Sequence, residues 1–507
     1  MAIIPSLLAQ FTAKRLREIE FFRKYPNEVQ REVFFNLIDA AKNTVWGKKY
    51  AYSEIKTIAE FQDRVPVSSY EALSEYIDRV RKGEQNVLWH SKINWFAMSS
   101  GTTNDKSKYI PISREALEHC HYKGGKDAMA VYVNIHPNTK LFKNFGKALV
   151  IGGSRQVTGS DEKMYYGDLS AVLLKNLPAW AQYIRTPQIS IALMQEWEEK
   201  IFKMATQTMK DNVTSISGVP SWTLVLIKKI LELAKTDNIL DVWNNLELFI
   251  HGGVSFEPYR KQYKQLIKSD KMNYLETYNA SEGFFALQDD PAHNDMLLML
   301  DLGVFYEFIP IDNVYDENPK ALTLDQVELG KNYALVISTN TGLWRYMIGD
   351  TVKFTSLYPF KIKITGRVKH FINAFGEELI IDNAQIAIRK ACEETNASIT
   401  EFTAAPIYME TSSKGGHEWF IEFENEPTSL ELFAEVLDAT LKSVNSDYEA
   451  KRYKNLSLEK PKVVVAKTGV FYQWLKDRNK LGGQNKIPRL ANTREYIDGL
   501  LELNNKK

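Results

Sequence analysis

Residues 93–108 read Ile93-Asn-Trp-Phe-Ala-Met-Ser-Ser-Gly-Thr-Thr-Asn-Asp-Lys-Ser-Lys108 and join an apolar run to a loop of small hydroxyl side chains. The apolar half predicts a β-strand that ends near Ser99. The loop after it offers backbone N–H groups and hydroxyls to an anion, and its lysines can add positive charge. The Walker pattern GxxxxGK[ST] is absent, so this is not that phosphate loop. Taken alone, the loop fits a solvated surface turn equally well.

Downstream of this loop, strand-like apolar runs alternate with helical stretches. The runs cover residues 147–151, 213–216, 246–250, 272–277 and 333–338. Residues 222–234 have the apolar spacing of a packed helix. Strands that alternate with helices predict an α/β fold with largely parallel strand pairing. Upstream, the first ninety residues predict mostly helix, and Ser68 with Glu71 has capping-box spacing before a helix over residues 71–80.

The pattern changes near Gly366, where a smaller region begins. A strand-like run over residues 418–423 is followed by a helix with one apolar face. The residues of that face are Phe433, Val436, Leu437, Leu441 and Val444. We therefore expect a large N-terminal domain of mixed sheets and helices over residues 1–365. A smaller, mobile α+β domain over residues 366–507 would be joined to it by a hinge.

Length and composition indicate a globular protein of more than one domain and almost no net charge. The 507 residues exceed what one core usually holds, and 64 basic against 63 acidic side chains give a net charge of +1. With so little net charge, the protein has no overall positive electrostatic field that would attract nucleic acid or an anionic membrane. Neither is expected as a partner. Cys120 and Cys392 are too few and too far apart for a disulfide framework or a metal cage. No leader or membrane-spanning stretch is evident, and we expect a cytoplasmic protein.

Three further motifs follow strand-like runs. His251-Gly-Gly-Val254 has paired glycines, which let the backbone approach a flat ligand or simply form a tight turn. Glu276-Thr-Tyr-Asn-Ala-Ser-Glu-Gly283 sets carboxylates among small polar residues, which suits Mg²⁺ because this ion takes few carboxylates plus phosphate oxygens. The aspartate of Thr341-Gly-Leu-Trp-Arg-Tyr-Met-Ile-Gly-Asp350 suits hydrogen bonds to ribose hydroxyls, or belongs to a hairpin turn.

Two motifs belong to the C-terminal part. Gly366-Arg367 opens a motif over residues 366–378 at the expected boundary. Gly482-Gly-Gln-Asn-Lys-Ile-Pro-Arg489 is a glycine-rich basic loop whose Lys486 could reach a phosphate held by another domain, although such loops are more often just exposed.

The pattern GxSxG of a covalent acyl-enzyme is absent. His119 and His121 would diverge on a helix rather than share a metal ion.

In this order, the motifs resemble those of the adenylate-forming superfamily of acyl-CoA synthetases, luciferases and peptide-synthetase adenylation domains. The chain is most similar to the Gretchen Hagen 3 auxin-responsive family of acyl acid amido synthetases, which comprises plant enzymes and bacterial relatives. We expect a bacterial member. The similarity spans nearly the whole chain and includes Phe61-Gln-Asp-Arg-Val-Pro66 and Asp447-Tyr-Glu-Ala-Lys-Arg452.

The resemblance implies an acid–amino acid ligase that uses ATP and magnesium. Such an enzyme adenylates a carboxylic acid, an auxin-like aryl acid for example, and releases pyrophosphate. It then transfers the acyl group to the amine of an amino acid and releases AMP. A monomer or weak oligomer with these small molecules as its partners is expected. The alternatives are a thioester-forming ligase that uses coenzyme A and a non-catalytic protein that binds acyl groups or nucleotides.

The resemblance also implies residue roles. Lys486 and Lys108 would be catalytic, with Lys486 at the α-phosphate, and Glu282 would bind magnesium. The expected ATP-binding residues are Ser99, Ser100, Gly101, Thr102, Thr103, Gly253, Val254, Thr277, Tyr278, Ser281, Asp350 and Arg367. Tyr278 would lie near the base, Asp350 would bind the ribose hydroxyls, and Lys369 would be the hinge pivot. Asp105 stands where many family members have glycine. The longer spacing from Arg345 to Asp350 leaves the register of Arg345 open.

Overall fold

The computed structural model describes residues 3–100, 107–141, 146–152, 158–159, 164–194, 196–253, 256–368, 371–377, 379–409, 414–453, 458–478 and 487–506. The helices are α1 (Ile3–Lys24), α2 (Pro26–Ala41), α3 (Val45–Lys49), α4 (Ile58–Arg64), α5 (Tyr70–Arg81), α6 (Tyr122–Ile135), α7 (Leu169–Lys175), α8 (Ile189–Ala192), α9 (Trp197–Thr208), α10 (Pro220–Ala234), α11 (Glu257–Leu266), α12 (Ile381–Thr395), α13 (Leu430–Val444), α14 (Ser446–Arg452), α15 (Val470–Asp477) and α16 (Glu495–Lys506).

The strands are β1 (Trp95–Ser100), β2 (Ser107–Ile112), β3 (Lys147–Val150), β4 (Thr158–Gly159), β5 (Tyr165–Gly167), β6 (Arg185–Thr186), β7 (Val213–Gly218), β8 (Leu248–Gly252), β9 (Asn273–Ala280), β10 (Gly283–Leu287), β11 (Met296–Leu298), β12 (Val304–Pro310), β13 (Asn332–Thr339), β14 (Tyr346–Leu357), β15 (Phe360–Arg367), β16 (Phe371–Ile372), β17 (Leu379–Ile380), β18 (Ser398–Ile407), β19 (Gly416–Asn425) and β20 (Lys462–Ala466). A π-helical turn, Ala116–His121, leads into α6.

One large mixed sheet organises the molecule. Within the described residues its strand order is β12-β13-β14-β15-β11-β10-β9-β8-β7-β3-β6. The strands from β9 to β6 pair in parallel, and those from β9 to β12 pair antiparallel. The predicted α/β class with mixed sheets is confirmed, but the expectation of largely parallel pairing is wrong for the antiparallel half. Short connections such as the one between β14 and β15 cannot accommodate the crossover that parallel pairing needs.

Helices α10 and α11 supply those crossovers in the parallel half. Pro220 begins α10 at a position where its fixed φ suits a helix and its missing N–H costs nothing. Leu224, Ile227 and Ile230 of this helix are fully buried. The helix therefore starts two residues earlier than the apolar pattern predicted. It packs its apolar stripe against the face of the sheet formed by Ile216 and Phe249.

The entry to α5 differs from the predicted capping box by one residue. Ser69 rather than Ser68 is the N-cap, and its hydroxyl accepts a hydrogen bond from the Ala72 N–H. The backbone of Ser68 instead joins β14: its N–H donates to the Arg345 carbonyl at 2.8 Å and its carbonyl accepts from the Met347 N–H at 2.9 Å. This pairing brings the start of α5 next to Tyr346.

The C-terminal part contains the sheet β18-β19-β20 with α12 and α13. Its Phe375 and Trp419 share a hydrophobic cluster with Phe256 and Tyr259. The Tyr259 hydroxyl also donates to the Ala374 carbonyl at 2.5 Å. The expected domain boundary at residues 365–366 and its hinge stay predictions. None of the helices in the described segments is long and apolar enough to cross a bilayer.

Candidate active site

The candidate site lies where the parallel strands β7, β8 and β9 end, the usual ligand position of open α/β sheets. Backbones approach closely here, because a Cβ at Gly252 would lie 2.4 Å from the Thr277 carbonyl oxygen. The Thr277 hydroxyl donates to the His251 carbonyl at 3.1 Å. Gly253 has a φ of +81°, which favours glycine. The glycine pair therefore serves strand packing and a turn, and Val254 lies outside the described residues.

Asp350 is the best-connected of the expected site residues. It lies within β14 rather than in a hairpin turn, and it is 8% exposed. Its Oδ2 accepts a hydrogen bond from the Tyr278 hydroxyl at 2.7 Å, and its Oδ1 accepts one from Arg367 Nε at 2.7 Å. Burial and the Asp350 charge raise the pKa of Tyr278, so the phenol stays a donor. Two donors thus fix the carboxylate, which keeps further lone pairs for a ligand.

Glu282 lies in the turn between β9 and β10 and is buried. Burial, and then the carboxylates of Glu282 and Glu71, raise the pKa of the neighbouring Tyr346. The buried hydroxyl of Tyr346 has no hydrogen-bond partner within the described part of the chain. A protonated phenol without a partner near a buried carboxylate is a polar group that a bound ligand can satisfy.

Lys108 reaches the same group of side chains from the four-stranded sheet. It pairs with Ser99 across β1 and β2, and its Nζ lies 5.8 Å from the centre of the Tyr70 ring. The Tyr70 hydroxyl accepts from the Tyr109 N–H at 2.8 Å. Tyr70 also lies close enough to Tyr346 to contribute to the raised pKa of that phenol. Lys108 thus lies beside the Tyr70 ring, and Tyr70 and Glu282 both interact electrostatically with Tyr346.

The structure brings together Tyr278, Glu282, Asp350 and Arg367 among the expected residues, whereas Lys108 lies at the Tyr70 ring. Ser281 lies half-buried in the turn beside Glu282, and Ser99 and Ser100 end β1. The expected residues that lie outside the described segments are Gly101, Thr102, Thr103, Val254, Lys369 and Lys486. Tyr70 and Tyr346 were not expected at the site, because only the pairing of Ser68 with β14 makes them neighbours.

Three family models match consecutive parts of the chain. The model of the GH3 family N-terminal domain matches residues 15–272, which is over half of the chain. The GH3 family central domain matches residues 297–367, and the GH3 family C-terminal domain matches residues 382–495. The chain belongs to the GH3 family. The family expected from the sequence is thereby confirmed.

Named GH3 relatives cover almost the full length. The chain is 24% identical to indole-3-acetic acid-amido synthetase GH3.3 of Arabidopsis thaliana over 94% of this chain and 91% of the relative. It is 23% identical to jasmonoyl–L-amino acid synthetase JAR4 of Nicotiana attenuata over 94% and 92%. The solved GH3.15 acyl acid amido synthetase has the same fold, with a TM-score of 0.61 and 17% identity over 96% and 95%. The two curated relatives are plant proteins and give no support to the expected bacterial origin.

Arg345 has a structural role in this GH3 chain. Its φ is +44°, and its guanidinium donates to the Glu307 carboxylate at 2.9–3.1 Å and to the carbonyls of Gln62 and Val65. Gln62 also donates to Glu307 at 2.8 Å. The register that the sequence left open therefore directs Arg345 away from Asp350. The segment at residues 61–66 is the backbone that it holds.

The other family-like stretch, residues 447–452, also has a structural role. Arg452 donates to both oxygens of Asp438 at 2.6 and 2.7 Å, and the Tyr448 hydroxyl donates to the same carboxylate at 2.8 Å. All three side chains are buried. The stretch at residues 447–452 therefore ties α14 to α13.

Proposed function

We propose that this protein activates a carboxylic acid by transfer of AMP from ATP, with release of pyrophosphate, and then passes the acyl group to the amine of an amino acid. The observation that supports this most is the Asp350 carboxylate, fixed by Tyr278 and Arg367 beside the buried Glu282. The relatives, two named amido synthetases and one a jasmonoyl–L-amino acid synthetase, bear out the acid–amino acid ligase activity expected from the sequence.

The chemistry explains why these groups are needed. A carboxylate is a poor electrophile because its leaving group would be oxide, whereas an acyl adenylate has a good leaving group. The attacking carboxylate must approach a phosphorus surrounded by negative oxygens, so positive charge and fixed positioning lower the barrier. In this proposal Lys486 and Lys108 supply charge. Asp350 accepts hydrogen bonds from the ribose hydroxyls with its remaining lone pairs.

Magnesium fits the donors near Glu282. Within the segments described, no group of three or more His, Cys, Asp or Glu residues forms a metal cage. A single buried carboxylate is what Mg²⁺ needs when phosphate oxygens and water complete its shell. The unpartnered hydroxyl of Tyr346 beside Glu282 gives one such water or phosphate oxygen a donor. The ion would offset negative charge on the phosphate oxygens. The cytoplasmic location and the monomeric or weakly oligomeric state stay predictions.

Pyrophosphate release tests the proposal. Purified protein with ATP and Mg²⁺ is given a panel of carboxylic acids, with and without each amino acid or coenzyme A. We expect release with a subset of acids and an amide product that mass spectrometry detects only when an amino acid is present. A coenzyme A thioester in place of the amide would contradict the choice of acceptor. Bound ATP without any turnover on a broad panel would contradict the enzyme itself.

A further inference from the structure

Arg185 is a buried arginine for which the described part of the chain supplies no counter-ion. It begins β6 and is 5% exposed. Its Nη1 makes one long hydrogen bond, 3.4 Å to the Pro187 carbonyl, whereas Nε and Nη2 have no partner among the described residues. No carboxylate in the described segments forms an ion pair with it. Burial lowers the pKa of its guanidinium. Because an unpaired buried charge is strongly unfavourable, a group outside the described residues is needed to neutralise it.

The strand register shows which face of the sheet Arg185 occupies. Arg185 pairs with Ala148 of β3, and Ala148 pairs with Ser215 of β7. Paired residues of neighbouring strands share a face. Leu149 and Ile216, the next residues along, belong to the core against α10 on the opposite face. Arg185 therefore shares its face with a very small neighbour, Ala148, and then with a buried serine hydroxyl.

Helices α6 and α7 enclose this face. Val150, two residues beyond Ala148 on β3, packs against Ala171 and Leu174 of α7. The Tyr122 hydroxyl of α6 donates to the Leu173 carbonyl at 2.8 Å and joins the two helices. The register continues this face from Ser215 to Leu248 of β8 and Asn273 of β9, the strands whose carboxyl ends carry the candidate active site. The surface that bears Arg185 is thus an enclosed wall beside that site.

We propose that this wall is the floor of the acyl-acid site and that Arg185 binds a second anionic group, a distal carboxylate, on the acid that is activated. The inference rests on the proposed function. Strand β6 is four strand spacings from β9, roughly 19 Å at about 4.8 Å per spacing. An acceptor amino acid holds its carboxylate one carbon from its attacking amine and stays beside the nucleotide. The far end of the activated acid extends away from the nucleotide and can reach Arg185.

The substrate class then changes from the apolar aryl acid expected from the sequence. The expected substrate is a dicarboxylic acid, aliphatic or aromatic, whose second carboxylate accepts hydrogen bonds from the planar guanidinium of Arg185. Arginine suits this because its guanidinium presents two parallel N–H bonds to a carboxylate. Nε and Nη2, the two nitrogens without partners, are adjacent on one edge of the guanidinium.

Matched acid pairs test the inference in the full-length protein. Calorimetric titration without ATP compares adipate with hexanoate and terephthalate with benzoate, and pyrophosphate release compares them with ATP present. We expect the diacid to be preferred by about ten- to a hundredfold in both measurements, from a charge-assisted bidentate contact. Arg185→Met should abolish the preference, and Arg185→Lys should retain part of it. Arg389→Met, an exposed change on α12, is the matched control.

Stability separates a ligand-binding arginine from a structural one. Arg185→Met removes an unpaired buried charge, so the melting temperature of the ligand-free protein should stay the same or rise. A lower melting temperature with an intact diacid preference would overturn the inference, as would equal binding of diacids and monoacids by the wild type. If no acid gives pyrophosphate but diacid binding still depends on Arg185, the inference stands and the proposed function fails.

Discussion

The Asp350 carboxylate gains its orientation from two donors on different strands. Tyr278 comes from β9 and Arg367 from the end of β15, so the side chain is held across the sheet. A carboxylate fixed in this way accepts a diol without first losing rotamer freedom. In our account, Tyr278 acts on the nucleotide mainly through Asp350.

Tyr278→Phe tests that account. The change removes one hydrogen bond to a charged group, which contributes about 1.5–3 kcal/mol, and should raise the KM for ATP about tenfold while the acid KM stays unchanged. Steady-state pyrophosphate release measures both constants. Tyr333→Phe removes an equally buried hydroxyl that accepts from the Glu328 N–H far from the site, and it should leave both constants unchanged. An unaltered ATP KM in Tyr278→Phe would remove the tyrosine from the ribose site.

Two buried histidines make the stability depend on pH. Burial lowers the pKa of His121 to about 4 and that of His251 to about 3, against 6.5 for an ordinary histidine. Below pH 6.5 these two histidines bind protons in the unfolded chain but stay neutral in the folded chain. The free energy of unfolding therefore falls as the pH falls. The expected loss is up to about 1.4 kcal/mol per pH unit for each histidine.

The variant His121→Gln should remove one of the two contributions. Urea unfolding at pH 4.5 to 7 would then show a shallower decline than in the wild type. His119→Gln changes an exposed position in the same turn, and its free energy of unfolding should depend on pH as in the wild type. If the free energy of unfolding fell equally with pH in the wild type and in His121→Gln, His121 would not be held neutral in the folded protein.

At the residue scale, the sequence predicted chemical types better than partners. Tyr278, Glu282, Asp350 and Arg367 were expected from their motifs and are neighbours in the fold. The hydrogen bond from Tyr278 to Asp350 joins residues 72 positions apart, and no local pattern reports it. The unpartnered guanidinium of Arg185 was equally hidden, because a single arginine beside a threonine and a proline has no distinctive spacing.

At the scale of elements, Arg345 just before β14 ties the large sheet to the end of α4. The Arg345–Glu307 ion pair lies under the end of α4, with Glu307 fully buried on β12. A buried pair contributes little over apolar packing, but the loss of one partner leaves a buried charge. The Arg345–Glu307 pair acts as a clamp: it also fixes the backbone at Ser68, and with it the positions of Tyr70 and Tyr346.

Arg345→Met should lower the free energy of unfolding by about 3–5 kcal/mol, because Glu307 is then left without its cation. Urea denaturation measures the change. The double variant Arg345→Met, Glu307→Gln should recover part of the loss, since no buried charge remains. Lys331→Met breaks an exposed pair with Glu328 and should have no measurable effect. A cost no larger than in this control would contradict the clamp.

The same elements show where sequence reasoning succeeds. The parallel strands and α10 were predicted to within a few residues because apolar runs and helical spacing report burial directly. The antiparallel half was not predicted, since its direction depends on short connections rather than on apolar pattern. The cap of α5 moved from Ser68 to Ser69 because the fold uses the Ser68 backbone to pair with β14.

On the scale of the whole molecule, we expect the C-terminal part to move between two arrangements. Gly366 and Arg367 end β15, so a hinge there would be coupled to Asp350 through the Arg367 contact. We propose that the C-terminal part closes for adenylation and rotates for amide formation. Lys486 would reach the α-phosphate only in the closed arrangement.

Lys486→Ala therefore should slow pyrophosphate release by about a hundred- to a thousandfold, the usual effect of removing one charge-stabilising group. Transfer from a supplied acyl adenylate to the amino acid should stay near the wild-type rate. Rapid-quench kinetics separate the two half-reactions. Lys480→Ala alters a nearby lysine of the same segment and serves as the control. An unchanged adenylation rate in Lys486→Ala would contradict the proposed closing of the C-terminal part over the ATP site.

The most direct measurement of the central claim follows one oxygen atom. The protein is given ATP, Mg²⁺, an amino acid and a carboxylic acid labelled with oxygen-18 in its carboxylate, and the nucleotide products are analysed by mass spectrometry. Adenylation moves one carboxylate oxygen to the phosphate, so we predict labelled AMP together with the amide. Label in inorganic phosphate with formation of ADP, or unlabelled AMP, would contradict an acyl-adenylate mechanism for this protein.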